Sequence, residues 1–243
     1  MIKTIKTMSK QEKERYTVPR KVQDVIPVRR IWPDGIFLVG NKFSKTYKFS
    51  DINYLVASRE DKESMFLTYS ELLNSLDSGA VTKITINNRR MNQANFETSI
   101  LMPMQGDFRD EYRGEYNQML LDKATGANGI MQEKYITISV VKKDIEEARA
   151  YFSRVGADLI SHFAALGSKC VELDATERLR ILHDFYRQGE ESEFVFNARE
   201  MMKRGHSFKD YICPDGIEKN SDYLKLGGKF CRVLFLKDYA SYI

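Results

Sequence analysis

Apolar residues recur with two different periods along this chain, which predicts a protein that mixes strands and helices. Three short apolar or alternating segments come first, Val28–Trp32, Ile36–Val39 and Thr46–Phe49. They are separated by Pro33-Asp34-Gly35 and Gly40-Asn41, residue types that favour tight turns. The sequence therefore predicts an N-terminal meander of strands.

Helical spacing of apolar residues follows, and three of the predicted helices have a start signal. Ser58, Asp144 and Asp174 can each cap a helix, and each is followed three residues later by an acidic residue. We expect the helices to end near Gly79, Gly167 and Gly189. The first runs from about Arg59 to Asp77 with an apolar stripe of Met65, Phe66, Tyr69, Leu72, Leu73 and Leu76. The second, capped by Asp144, extends to Leu166 with a stripe of Ile145, Ala148, Phe152, Val155, Leu159, Phe163 and Leu166.

Residues 92–126 are predicted to be helical in two pieces around Pro103, the second from Asp110 to Lys123. Strands are predicted at Val81–Ile86, Lys134–Val141 and Cys170–Leu173. Strands and helices in this order predict an α+β fold, with a mixed or antiparallel sheet covered by helices.

The segment Phe230–Lys237 reads FCRVLFLK and predicts a strand buried on both faces. A buried strand needs partners, and few residues follow it. We therefore expect the chain to be part of a longer polypeptide.

Positive charge is concentrated at the start of the chain. Residues 1–30 contain nine Lys and Arg against three carboxylates, although the whole chain of 243 residues carries only +4. We expect residues 1–20 to form a flexible basic arm and residues 21–243 a folded domain. Such an arm can contact an anionic membrane surface or a partner, although a solvated terminus gives the same pattern. The candidate contact residues are Lys3, Lys6, Lys10, Lys13, Arg15, Arg20 and Lys21.

Cysteine content and hydropathy bear on the compartment. Three cysteines, an odd number far apart in sequence, favour a reducing compartment. No apolar run approaches the roughly 20 residues of a membrane-spanning helix. We expect a cytoplasmic protein.

Two segments partly match the phosphate-binding pattern G-x-x-x-x-G-K-[ST]. Gly35 and Gly40 have the correct spacing, but Asn41 replaces the lysine and the residues between them are typical of a strand. Gly228-Lys229 has the lysine, but Phe230 replaces the hydroxyl residue. Neither segment predicts nucleotide binding.

Other catalytic and metal-binding patterns are weak. His162, His183 and His206 are isolated, so structural or surface roles are expected for them. Cys170 lies in a short apolar strand, as inert core cysteines do. Within Asp107–Glu115, carboxylates interleave with arginines at i, i+4 spacing, which favours surface ion pairs over acid–base catalysis.

Aromatic residues beside lysines at positions 42–49 leave a nucleic-acid-binding module as the alternative function. Phe43, Tyr47 and Phe49 could stack on bases from a sheet face. The same alternation is expected of a strand with one buried and one solvated face.

Several segments resemble the N-terminal region of the VirB-type conjugal-transfer ATPases of type IV secretion systems, in the branch carried by Gram-positive conjugative elements. The resemblance extends from about Tyr16 over nearly the whole chain. The segments that carry it are Tyr16–Pro27, Asp51–Tyr54, Ser58–Lys62, Ser70–Gly79, Ile84–Arg90, Glu115–Gly129, Glu172–Ala175, His183–Tyr186 and Phe208–Pro214.

The resemblance implies a non-catalytic docking domain of a longer ATPase. Its motor domain, with ATP and Mg²⁺, would lie beyond residue 243, so no nucleotide-binding residue can be assigned here. The implied partners are the motor domain, inner-membrane components of the secretion channel and, for the full-length protein, further copies of itself. Direct contact with transferred DNA is the alternative, and the implied location is the cytoplasmic face of the membrane.

Overall fold

The computed structural model describes residues 19–90, 101–126, 130–191, 193–203 and 205–236. In this part of the chain the strands are β1 Val28–Ile31, β2 Phe37–Val39, β3 Lys42–Phe49, β4 Val81–Arg90, β5 Ile130–Val140, β6 Cys170–Glu172, β7 Ile217–Lys219, β8 Leu224–Leu226 and β9 Lys229–Cys231. The helices are α1 Val22–Val25, α2 Arg59–Asn74, α3 Asp110–Gly126, α4 Ile145–Ala165, α5 Ala175–Tyr186 and α6 Ala198–Met201, with a 3₁₀ helix at Phe208–Tyr211. The α+β prediction and the N-terminal meander are confirmed.

All described strand pairs are antiparallel. The main sheet has the order β1-β2-β3-β5-β4. One edge of β3 is shared, since Lys42–Ser44 pair with β2 and Tyr47–Phe49 pair with β6. The opposite edge pairs with β5 from Phe43 to Phe49. Strands β7, β8 and β9 form a separate meander.

The first hydrophobic core lies between one face of the main sheet and helices α4 and α2. Tyr47, Ile136 and Ile138 supply its sheet side, and they lie on one face because Tyr47 pairs with Ile136 and side chains alternate along β5. Helix α4 supplies Phe152, Leu159 and five other buried residues. The apolar stripe predicted for this helix is confirmed.

The second core lies on the opposite face. Ile36 belongs to the first core and its neighbour Phe37 to the second, because successive residues of an extended chain point to opposite sides. Phe37 packs with Leu179 of α5 and with Ile212 beside the 3₁₀ helix. The β1–β2 end of the sheet is therefore covered on both faces.

The predicted caps are present at all three helix starts. The side chains of Ser58, Asp144 and Asp174 accept hydrogen bonds from the backbone N–H groups three residues later, and Asp174 with Glu177 forms a reciprocal capping box. Gly167 adopts the left-handed conformation after α4, with φ of 74°. The prediction for Gly79 is wrong, because α2 ends at Asn74 and Gly79 does not have a positive φ.

Two expectations about apolar segments are also wrong. Only Lys229–Cys231 form strand β9, and Val233–Leu236 lie outside any strand and are at least 69% exposed. In the predicted stripe, Phe66 and Leu73 are exposed, whereas Met65, Tyr69 and Leu72 of α2 and Leu76 just beyond it contact the first core. The apolar face of α2 is therefore wider than the core it covers.

Candidate docking surface

The basic arm joins the domain at a firmly held segment. The Nζ of Lys209 donates to the carbonyl oxygens of Gln23 and Ile26, both at 2.8 Å. Ile26 and Val28 are buried in the second core. Arg20 and Lys21, immediately before α1, are exposed. Arg20, the last residue of the predicted arm, and Lys21, the first of the predicted domain, therefore directly precede a segment that is fixed on the domain.

A bulge in β1 exposes two consecutive arginines. Val28 pairs with Val39 and Arg30 with Leu38, so Arg29 is an extra residue in β1. Both Arg29 and Arg30 are exposed, whereas strict alternation would have turned one of them inward. The bulge thus places both guanidinium groups in solvent at the edge of the sheet.

Lys42 extends this positive surface across the sheet. Val28, Val39 and Lys42 are paired in a row across β1, β2 and β3, so Lys42 lies about 10 Å from the edge strand. We call Arg20, Lys21, Arg29, Arg30 and Lys42 the basic edge. All five are exposed, and none forms an ion pair within the described residues.

The cations of the basic edge differ from several elsewhere in the sheet. Lys45, for example, is buried and lies 2.5 Å from the Glu172 carboxylate, and Lys48 lies 2.6 Å from Glu133. Arg29 and Arg30 are neighbours in the chain and Lys42 lies two strands away, so these unpaired cations raise the local positive potential, which favours binding to an anionic surface. The predicted candidates Lys3, Lys6, Lys10, Lys13 and Arg15 lie outside the described residues, so only Arg20 and Lys21 of that set are placed in the basic edge.

The two glycine segments do not fit a nucleotide. Gly35 and Gly40 occupy the turns on either side of β2, and Gly227 occupies the turn between β8 and β9. A phosphate-binding loop leads into a helix, whose N-terminal N–H groups contact the phosphates. Strands follow both of these segments instead.

The aromatic residues proposed for base stacking belong to the core. Phe43 and Tyr47 are buried, and Phe49 stacks on Phe163 with ring centroids 4.8 Å apart. Strand β3 is central, so Ser44, Lys45 and Thr46 are buried as well. The expected solvated face of this strand is therefore wrong, and these rings are not available to bases.

The isolated histidines and cysteines do not converge on a metal site among the described residues. His162 bonds the carbonyl oxygen of Asp158 in its own helix, and His183 is buried beside Phe194. Cys170 is buried in the first core, as predicted, and burial, assisted by the Glu172 carboxylate, raises its pKa to about 11. A thiol with this pKa is a poor nucleophile at neutral pH.

The acidic and basic residues before and within α3 form ion pairs, although not at the predicted spacing. Arg113 contacts Asp107 at 2.5 Å and Asp110 at 2.6 Å, residues six and three positions earlier. These hydrogen bonds raise the pKa of Arg113. Arg109 instead lies over the ring of Phe108. The ion pairs connect the segment before α3 to the first turn of the helix, which is a structural role.

Sequence reasoning missed a buried arginine at the junction of β2, β3 and α5. Arg178 donates to the carbonyl oxygens of Gly35 and Ser44, both at 2.7 Å, and its guanidinium lies 4.0 Å from the centre of the Phe37 ring. Burial lowers its pKa to about 9, so it remains charged at neutral pH. Arg178 lies three residues after Ala175 and four before Leu182, on the apolar side of α5, and this helical spacing was the available signal.

No helix in the described ranges is long and apolar enough to span a membrane. No model of a known protein family matches the chain, and no curated protein matches it.

Proposed function

We propose that this chain is the non-catalytic docking domain of a conjugal-transfer ATPase of a type IV secretion system. It positions an ATP-driven motor against inner-membrane components of the secretion channel, at the cytoplasmic face of the membrane. The observation that carries the proposal is the basic edge, which lies where the basic arm joins the domain. The segment resemblances described above are its second support.

The basic edge suits an anionic membrane surface for two reasons. Its five cations have no described ion-pair partners to displace, so their charge is available to lipid headgroups. Each well-placed Lys or Arg near an anionic leaflet contributes about 1 kcal/mol. The five cations of the arm itself, Lys3 to Arg15, add to this attraction.

In this proposal ATP and Mg²⁺ bind the motor domain and not residues 1–243. The domain's own contribution is mechanical: the β1–β2 end of the sheet, which is packed on both faces, transmits a displacement between the membrane contacts and the motor domain. Further copies of the full-length protein are proposed partners at the same membrane site.

The first test is sedimentation of the chain with vesicles that contain phosphatidylglycerol and phosphatidylcholine. Binding should exceed that to phosphatidylcholine alone and fall with salt. Arg29→Glu, Arg30→Glu and Lys42→Glu together should weaken it at least about tenfold. A matched control reverses the exposed cations Lys83, Arg199 and Lys219, and it should bind nearly as well as the parent chain.

Equal loss in both triple variants would overturn the assignment of the membrane contact to the basic edge. ATP hydrolysis above background that persists through further purification would overturn the non-catalytic assignment.

The alternative, a module that contacts transferred DNA, uses the same cations on phosphates. The burial of Phe43 and Tyr47 leaves it without the stacking groups that would favour single strands. Affinity for duplex DNA that falls linearly with salt on a log–log scale, with no binding to anionic vesicles, would favour this alternative.

A further inference from the structure

The exposed side of α2 combines apolar and acidic side chains. Phe66 is 67% exposed, Leu67 61% and Leu73 39%. Phe66 and Leu73 are seven residues apart, two helical turns, and therefore lie on one side of α2. The first core contacts the adjacent side of α2 through Met65, Tyr69 and Leu72 and leaves Phe66, Leu67 and Leu73 exposed.

The loop before α2 continues this apolar surface. Leu55 is 90% exposed, and its carbonyl oxygen accepts a hydrogen bond from the Nζ of Lys62. The same ammonium group lies 5.4 Å from the centre of the Tyr54 ring. Lys62 is one turn before Phe66, so the loop is held next to the exposed side of the helix. We call Tyr54, Leu55, Phe66, Leu67 and Leu73 the α2 ridge.

Glutamates of α2 flank Leu67, since Glu63 and Glu71 are one turn before and after it and Glu60 is two turns before it. Residues 51–77 contain six Asp and Glu against two Lys and Arg, although Asp51 pairs with Lys134 and Asp77 with Arg154. Arg59 is paired with Glu63, and Lys62 is occupied by Tyr54 and Leu55. Glu60 and Glu71 are exposed and form no ion pair with any residue the structure describes. The surface therefore matches a segment with the opposite charge and its own apolar residues.

Residues 1–18 of the same chain have this composition. They contain five Lys and Arg against two Glu, with Ile2, Ile5 and Met8 recurring between the lysines. An extended chain of 18 residues reaches up to about 60 Å, which exceeds the width of a domain of this size. Residues 1–18 are therefore long enough to reach any face of the domain, so complementary charge and apolar surface have to select the face that they bind.

We infer that residues 1–18 dock on the α2 ridge of their own chain, with lysines against Glu60, Glu63 and Glu71 and Ile2, Ile5 and Met8 against the apolar side chains. This inference goes beyond the proposed function. The α2 ridge and an anionic membrane then compete for residues 1–18. Binding of this segment to a membrane therefore exposes the α2 ridge.

The test is a cross-linking comparison in the full chain with Cys231→Ser, since Cys170 and Cys213 are buried. Met8→Cys is combined with Leu67→Cys in one variant and with Val195→Cys in the other, Val195 being 76% exposed outside the ridge. A short bis-maleimide should link residues 8 and 67 within one chain about tenfold more than residues 8 and 195, as expected for several weak ion pairs acting together.

Charge reversal separates docking from random encounter. Glu60→Lys, Glu63→Lys and Glu71→Lys together should reduce the 8–67 link to the level of the 8–195 link, and added Lys3→Glu, Lys6→Glu and Lys10→Glu should restore it. The four α2 side chains at the sites of change, Glu60, Glu63, Leu67 and Glu71, are exposed, so urea unfolding should show that the fold is retained. Equal linking at both sites, a product that joins two chains, or linking that is indifferent to charge reversal would each overturn the inference. Vesicle binding is measured separately, so loss of the proposed function and loss of this contact are distinguishable.

Discussion

The backbone of Gly35 packs directly against the carbonyl oxygen of Leu173. A Cβ atom at Gly35 would lie 2.0 Å from that oxygen, and the φ of Gly35 is +76°. The contact brings the turn before β2 against the residue that connects β6 to α5. The N-terminal meander and the second half of the fold are thus joined at a point where only glycine fits.

Gly35→Ala should therefore destabilise the chain strongly. Gly40→Ala is a matched control, because Gly40 also has a positive φ, +61°, but has nothing within 4 Å of its Cβ position. The control should lose about 1–2 kcal/mol from backbone conformation alone. Gly35→Ala should lose clearly more, as measured by urea unfolding, and equal losses would contradict the steric explanation.

Removing the Arg178 guanidinium should also destabilise the domain. Arg178→Met leaves the buried carbonyls of Gly35 and Ser44 without their side-chain donors, at an expected cost of about 2 kcal/mol or more. Arg178→Lys should not restore stability, because one ammonium group cannot reproduce the planar fork. Arg180→Met on the same helix is the control, since the Arg180 side chain has no hydrogen bond or ion pair among the described residues. If Arg178→Lys were as stable as the parent chain, charge and not geometry would be the important property.

Helical glycines at two positions should respond to alanine in opposite directions. At Gly156 a Cβ would lie 2.6 Å from the Glu172 Oε1 and 2.9 Å from the hydroxyl of Tyr47, which is fully buried. Gly156→Ala should cost about 1–3 kcal/mol because the crowded side chains have to move. At Gly114 the nearest atom is the Met104 Cε at 3.7 Å, so Gly114→Ala should stabilise α3 by up to about 1 kcal/mol. Thermal unfolding of both variants checks the pair, and stabilisation by both would refute the packing of α4 on β3 and β6.

Alkaline pH should weaken the fold through Cys170. Burial, with the Glu172 carboxylate, raises the pKa of this thiol from 9.0 to about 11 in the folded chain. The unfolded chain therefore releases the Cys170 proton first, and the contribution of this thiol to the free energy of unfolding should fall as pH rises from about 9 to about 11, while Arg178, with its lowered pKa of about 9, contributes in the opposite direction. The loss over this window is about 2–3 kcal/mol.

Cys170→Val removes this titration while keeping an apolar side chain of similar size. Its unfolding free energy should fall less than that of the parent chain between about pH 9 and pH 11. The raised pKa of Tyr47 and the lowered pKa of Arg178 are common to both proteins, so the difference between their pH profiles reports Cys170. Identical pH dependence in the two would show that Cys170 is not the responsible group.

Helix starts were predictable because their causes are local. Ser58, Asp144 and Asp174 lie within three residues of the N–H groups they cap, and the structure has all three contacts. The turn at Gly35 and the stripe of α4 were predictable for the same reason. Gly79 misled the prediction because a glycine near a helix end permits a left-handed stop but does not require one.

The basic edge was only partly visible in the sequence. Charge counting found Arg20 and Lys21, but the exposure of Arg29 and Arg30 depends on a bulge set by pairing with β2. Lys42 and Lys45 are alike in sequence, yet one is exposed at a strand end and the other is buried against Glu172. The burial of Lys45 depends on Glu172, which is about 130 positions away in the chain.

The sequence by itself determined the order of the elements, the helix caps, the turns and the concentration of positive charge at the start of the chain. These depend on residues close together in the chain, whose preferences act before any long-range contact forms. Only the tertiary structure decided that β3 is central, that Arg178 joins two parts of the fold, and that α2 and Val233–Leu236 leave apolar side chains in solvent. The reason is that burial is a property of what packs on a segment, and distant residues supply that packing.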